Sequence, residues 1–201
     1  MTVTALKQAK KHQIEVVFEE NSVLLDKETV LKSGLKVGTV INDEQLEQLQ
    51  FDSQVTRATS KAMWLLSRRE YSKKEMIIRL KKDGFLKEAV DTAVFTLAQA
   101  GIIDDERFAY NYAYSLKEGR HLGKRAIITE LIMKGVDREI AQNVAEEFCD
   151  DEVSACAEII RIKYSAFNED EKINRRMFAA LQRKGYNYNT IKLAMDLVEQ
   201  E

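Results

Sequence analysis

The chain has 201 residues, 45% of them hydrophobic and 32% charged, with a formal net charge of −2. The apolar share is enough for a real core and excludes a disordered tail, and the near-neutral balance excludes a simple basic DNA binder. No apolar run approaches the roughly 18 residues of a membrane-spanning helix. The N-terminus, lacking a continuous apolar region, does not read as a secretion signal. The expected location is the cytoplasm.

Residues 1–56 read as a small β-rich N-terminal module. Val3 to Leu6 and Gln13 to Glu19 are strand-like, Glu20-Asn21-Ser22 is a hairpin turn, and Val23-Leu24-Leu25 continues the pairing. Gly34 and Gly38 punctuate the segment, and Asp43 opens a short helix with Leu46 and Leu49 inward. From residue 57 the pattern becomes helical. Trp64, beside Leu65, reads as core.

A repeat runs through the rest. Gly84, Gly135 and Gly185 align. Four positions before each stands Leu80, Leu131 or Leu181; eight before, Met76, Ile127 or Met177; seven before, Ile77, Ile128 or Phe178. These offsets put one apolar stripe on a helix that a left-handed glycine ends. Phe85, Val136 and Tyr186 follow the glycines, and Lys82, Lys134 and Arg183-Lys184 suit the negative helix end. Ser72 to Glu75 is a capping box, with Tyr71 and Met76 as its staple. The third helices run through Val90, Val94 and Leu97; Ile140 and Val144; and Ile191, Met195 and Val198. Gly101 stops one helix, Asp104 caps the next, and Phe108, Tyr112 and Leu116 line it.

The predicted fold is mainly α: three-helix repeats over 57–102, 103–149 and 150–201, stacked in an elongated curved array behind the β-containing module. The third copy lacks the Ser-x-x-Glu start, and Asn168-Glu169-Asp170-Glu171 opens its helix instead. Cys149 and Cys156, seven residues apart, read as reduced thiols on one face of one helix.

Catalytic signatures are missing. There is no phosphate-binding loop, and His12 and His121 have no Cys or His at ligand spacing. Asp104-Asp105-Glu106 and Asp150-Asp151-Glu152 read as helix starts rather than metal sites. The positive signal is basic. Lys61, Arg68, Arg69, Lys73, Lys74, Arg79, Lys81 and Lys82 fall within 58–82 against only Glu70 and Glu75. Arg120, Lys124 and Arg125 recur at the equivalent helix of the second copy, and Arg175 and Arg176 lie near it in the third. Residues 135–170 reverse the sign, with three basic residues against ten acidic.

Ser67-Arg68-Arg69-Glu70-Tyr71-Ser72-Lys73-Lys74-Glu75 with Leu80 and Gly84-Phe85 resembles the first signature of the RecX family of RecA recombinase regulators. Gly101-Ile102-Ile103-Asp104-Asp105-Glu106-Arg107-Phe108-Ala109 resembles its second, and Gly123-Lys124 through Glu130-Leu131 to Lys134-Gly135-Val136 its continuation. The resemblance implies a cofactor-free, non-enzymatic protein. It implies binding in the groove of the RecA filament on single-stranded DNA and restraint of recombinase, ATPase and co-protease activity. A monomer is expected, with weak direct DNA binding a further expectation. Arg68, Arg69, Lys73, Lys74, Lys81, Arg120, Lys124 and Arg125 are the candidate filament or nucleic-acid contacts. Two other readings stay open: a direct nucleic-acid binder of tandem helix-turn-helix-like units, and a helical scaffold for another protein.

Overall fold

The computed structural model describes residues 1–164, 167 and 170–200. The chain forms two compact units, residues 1–103 and 104–201.

The first unit begins with an antiparallel meander of β1 (Ala5–Lys10), β2 (Gln13–Val17) and β3 (Ser22–Asp26). Register places Leu6 opposite Val16, Val16 opposite Val23 and Ile14 opposite Leu25, which gathers the apolar side chains on one face. Val3, Val16, Phe18 and Leu25 form the core there, with Val30, Leu35 and Ile41. A short helix that the sequence pattern does not announce, α1 (Lys27–Ser33), closes this face. Asp26 caps it by accepting from the Glu28 N–H, and Gly34 ends it at φ 70°.

The helix that starts at Asp43 is not short. α2 (Asp43–Leu66) runs for 24 residues, about 36 Å at 1.5 Å per residue. Asn42 and Gln45 exchange side-chain-to-backbone hydrogen bonds of 2.8 and 2.9 Å across its first turn. Its first half packs on the sheet, where the Asp26 N–H donates to the buried Ser53 hydroxyl at 2.7 Å. Its second half turns Ala58, Ala62 and Leu65 inward, and Ala62 and Leu65 join the next core. That core lies against α3 (Lys73–Lys82) and α4 (Lys87–Gln99), with Met76, Leu80, Val90, Val94, Leu97 and Ile103. Trp64 is not part of it. Neighbouring helical positions lie about 100° apart, so the residue next to buried Leu65 points away from the core, and Trp64 stands 48% exposed.

The second unit holds α5 (Asp105–Arg120), α6 (Lys124–Met133), α7 (Arg138–Phe148), α8 (Glu152–Lys163), α9 (Glu171–Arg183) and α10 (Tyr188–Glu199). Phe108, Leu116, Ile127, Leu131, Val136, Ala141 and Ala145 form one core; Cys156, Ile160, Met177, Leu181, Tyr186 and Ile191 form another. In α7 the buried positions are Ala141 and Ala145, and Ile140 and Val144 are only half-buried, a one-residue rotation from the expected stripe. The cysteines sit on different elements: Cys149 ends α7 and the buried Cys156 lies within α8. Asp104, Asp137, Asp151 and Asp170 each cap a helix, so both acidic runs are helix starts. Of the expected opening of the third copy, Asp170 caps α9, while Asn168 and Glu169 lie outside the described residues.

The three aligned glycines share one device. Gly84, Gly135 and Gly185 have φ of 90°, 87° and 96°. At each, the next residue's N–H donates back to the leucine carbonyl: Phe85 to Leu80, Val136 to Leu131 and Tyr186 to Leu181, at 3.3, 3.1 and 3.2 Å. This is the Schellman closure, which needs a left-handed residue at the glycine position. No helix among the described residues is long and apolar enough to cross a membrane.

Candidate functional site

Helix α3 carries the basic cluster of the first unit. Ser72 caps it, accepting from the Glu75 N–H at 3.1 Å, so Lys73 and Lys74 become its first two residues, and both are exposed. The positive end of the helix dipole disfavours cations there, so these lysines do not serve the helix that carries them. Helix α6 repeats the arrangement: Gly123 occupies the cap position, and Lys124 and Arg125 come first.

Several cluster members are already engaged. Arg69 donates to Glu75 at 3.1 Å and lies over the Tyr71 ring, 3.6 Å from its centroid. Lys81 faces Asp91 at 3.8 Å, and Arg120 reaches Glu130 at 3.0 Å. Lys124 is half-buried and pairs with Glu146 at 2.9 Å. Arg68, Lys74 and Arg125 are exposed and make no ion pair among the described residues. The eight candidates therefore differ in availability: these three have no ion-pair partner among the described residues, and Arg69, Lys81, Arg120 and Lys124 are paired.

The acidic block has a local purpose. With no side chain at Gly123, the first N–H of α6 has no cap of its own. Glu152, from α8, supplies one by accepting from the Lys124 N–H at 2.7 Å. A Cβ at residue 123 would lie 2.8 Å from that carboxylate and 3.1 Å from both the Gly185 carbonyl carbon and the Tyr186 ring, so a side chain there would be crowded. Burial and the nearby Glu152 carboxylate push the Cys149 thiol up to about 11, and the same causes push Cys156 to about 12. Neither is a poised nucleophile. No cluster of three or more His, Cys, Asp or Glu side chains is placed to hold a metal among the described residues.

Two features escape the sequence. An open groove of about 350 Å³ in the second unit brings Arg120 and Arg125 together with Arg183 of α9, a residue that the sequence suggests only as a helix-end cation. Trp64 in the first unit sits among cations, with the Lys61 ammonium 4.5 Å and the Arg68 guanidinium 4.3 Å from its ring centroid. Spacing to Lys61 at i−3 and Arg68 at i+4 was the available signal; the adjacent Leu65 masked it.

Residues 58–95 match the model of the first three-helix domain of RecX, and residues 104–144 that of the second. The chain is similar to the regulatory protein RecX of Listeria welshimeri, 27% identical over 96% of this chain and 74% of that one. It is also similar to those of Chlorobium phaeobacteroides, 28% identical over 73% and 97%, and Caldanaerobacter subterraneus subsp. tengcongensis, 26% identical over 96% of each. A crystal structure of regulatory protein RecX superposes with a TM-score of 0.77 at 16% identity, covering 97% of this chain and 98% of that one. The structure of RecX from Lactobacillus salivarius superposes with 0.67 at 18% identity, covering 74% and 98%.

Proposed function

The chain belongs to the RecX family, and from that membership we propose that it binds the RecA filament on single-stranded DNA, within the filament groove, and restrains it. In this reading it acts in the cytoplasm as a monomer, carries no catalytic site and lowers strand exchange, ATPase and co-protease activity by occupancy. The observation that carries the proposal is the repeated pair of cations at a helix start, Lys73-Lys74 on α3 and Lys124-Arg125 on α6. Helix electrostatics disfavours this placement. A filament of protein and phosphate offers it a partner.

The test is titration of the full chain into RecA–single-stranded DNA filaments, beside bare DNA and free RecA. Binding to the filament should exceed binding to either component, and ATP turnover should fall, with all of it attributable to RecA. Reversing Lys73, Lys74 and Arg125 together to Glu should weaken filament binding and reduce its salt slope by about one for each phosphate no longer neutralised. The melting temperature should hardly move, because exposed charges contribute about 0–1 kcal/mol each. Lys124 is left out because its reversal would set a carboxylate beside Glu146 and Glu152. Unchanged filament binding by the triple variant rejects the surface; unchanged ATPase and filament length at saturation reject the function.

A further inference from the structure

Trp64 is the chain's single tryptophan, and it is left half-exposed on a helix whose inward face is filled by Ala58, Ala62 and Leu65. Its indole is flanked by Lys61 and Arg68, both within 4.5 Å of the ring centroid. Lys61 also reaches Asp83 at 3.5 Å, whereas Arg68 has no carboxylate partner among the described residues. The exposed side chains that follow in sequence are polar or basic: Ser67, Arg68, Arg69, Lys73 and Lys74. A protein-docking hot spot centres its aromatic anchor in an apolar, desolvated surround. Here exposed Met63 is the apolar neighbour in sequence, and the two side chains over the ring are cationic. An indole beside cations fits a ligand that brings a flat π-face and a phosphate together in every unit.

We infer that Trp64 is a stacking platform for an unpaired base of single-stranded nucleic acid, which takes the place of a cation now lying over the ring, Lys61 or Arg68, and leaves that cation to the flanking phosphates. The inference rests on the proposed function only in taking the basic segment as a contact surface; it does not require RecA.

The single indole is its own reporter. The full chain is titrated with oligo(dT) and with an abasic strand of equal length, which keeps the phosphates and removes the bases. Oligo(dT) should quench Trp64 emission, and the abasic strand should not. By anisotropy of a labelled strand, Trp64→Ala should weaken oligo(dT) binding about tenfold and Trp64→Phe much less. Arg68→Gln should lower the salt slope by about one. Circular dichroism of each variant should match the parent. Equal binding of both strands without quenching, or Trp64→Ala binding oligo(dT) like the parent, overturns the inference. So does an indole that matters for filament binding while free oligo(dT) is not bound, since the partner at Trp64 is then protein. Quenching by oligo(dT) in a chain that ignores filaments upholds the platform and rejects the filament reading.

Discussion

Gly84 and Gly185 occupy the same repeat position and share a left-handed φ, yet their surroundings differ. A Cβ at Gly84 would meet nothing within 4 Å, whereas one at Gly185 would lie 2.4 Å from the Ala126 nitrogen and 2.6 Å from its Cβ. Gly84→Ala should therefore cost about 1 kcal/mol, the backbone penalty alone. Gly185→Ala should cost about 2–4 kcal/mol, because a forced approach between α6 and the end of α9 is added. Denaturant unfolding of both variants checks the ratio; equal losses would refute the close approach. The helix-end role of these glycines was legible because a leucine four positions earlier marks the turn. The extra constraint at Gly185 was not, because it depends on Ala126, far away in sequence. The cysteines give a pH test. Cys149 is raised from its ordinary 9.0 to about 11 by burial and by Glu152, so the folded state holds that proton more tightly than the unfolded chain. Its contribution to stability is fully present below about pH 9 and is lost as pH rises through about 11. Denaturation curves should weaken across that interval, and Cys149→Ala should flatten the decline. Alkylation at neutral pH should be slow in the folded chain and fast in denaturant.

At the scale of elements, the cap of α6 comes from another helix. Glu152→Ala removes a charge-assisted bond from a helix start and should destabilise the chain by about 1–3 kcal/mol, read by thermal melting. Glu152→Gln, which keeps an acceptor, should recover part of the loss. A neutral outcome for Glu152→Ala would mean that water caps α6 equally well. The sequence shows Gly123 and the acidic run separately, and nothing in either predicts that they meet. Most helices were readable because their signals are local: Asp104 and Ser72 at starts, glycines at ends, and Met76 and Leu80 one turn apart. The long α2 was not readable as one helix. Its apolar positions serve two cores, with Leu46 and Leu49 toward the sheet and Ala62 and Leu65 toward α3 and α4, so no single stripe runs its length. That split also explains why Trp64 looked like core. Of the eight candidate contacts, sequence located the cationic helix starts but not which charges were already paired. Glu75, Glu130 and Glu146 lie six to 22 residues from their partners.

For the whole chain, the two compact units meet in sequence at Ile103 and Asp104. Each contains two cores of its own, so fragments 1–103 and 104–201 should each fold with a cooperative melt. A cut after residue 56, where the sequence pattern changes, passes through the middle of α2 and parts side chains that serve different cores from the helix they share. Its products should melt broadly or aggregate; two cooperative fragments from that cut would show that the halves of α2 are independent. The uneven charge also has an explanation at this scale. The acidic stretch after residue 135 supplies caps and ion-pair partners, through Asp137, Asp151, Glu152 and Glu146. Its negative charge is thus partly structural. The three Schellman closures have a consequence for the molecule in motion. The amides of Phe85, Val136 and Tyr186 each donate to a leucine carbonyl in the same geometry, but each beside a different core. With the local bond alike, differences in their deuterium uptake report mainly how often each surrounding core opens. Three backbone protons thus act as matched clocks, and a ligand that grips one repeat should slow its own clock and leave the others running.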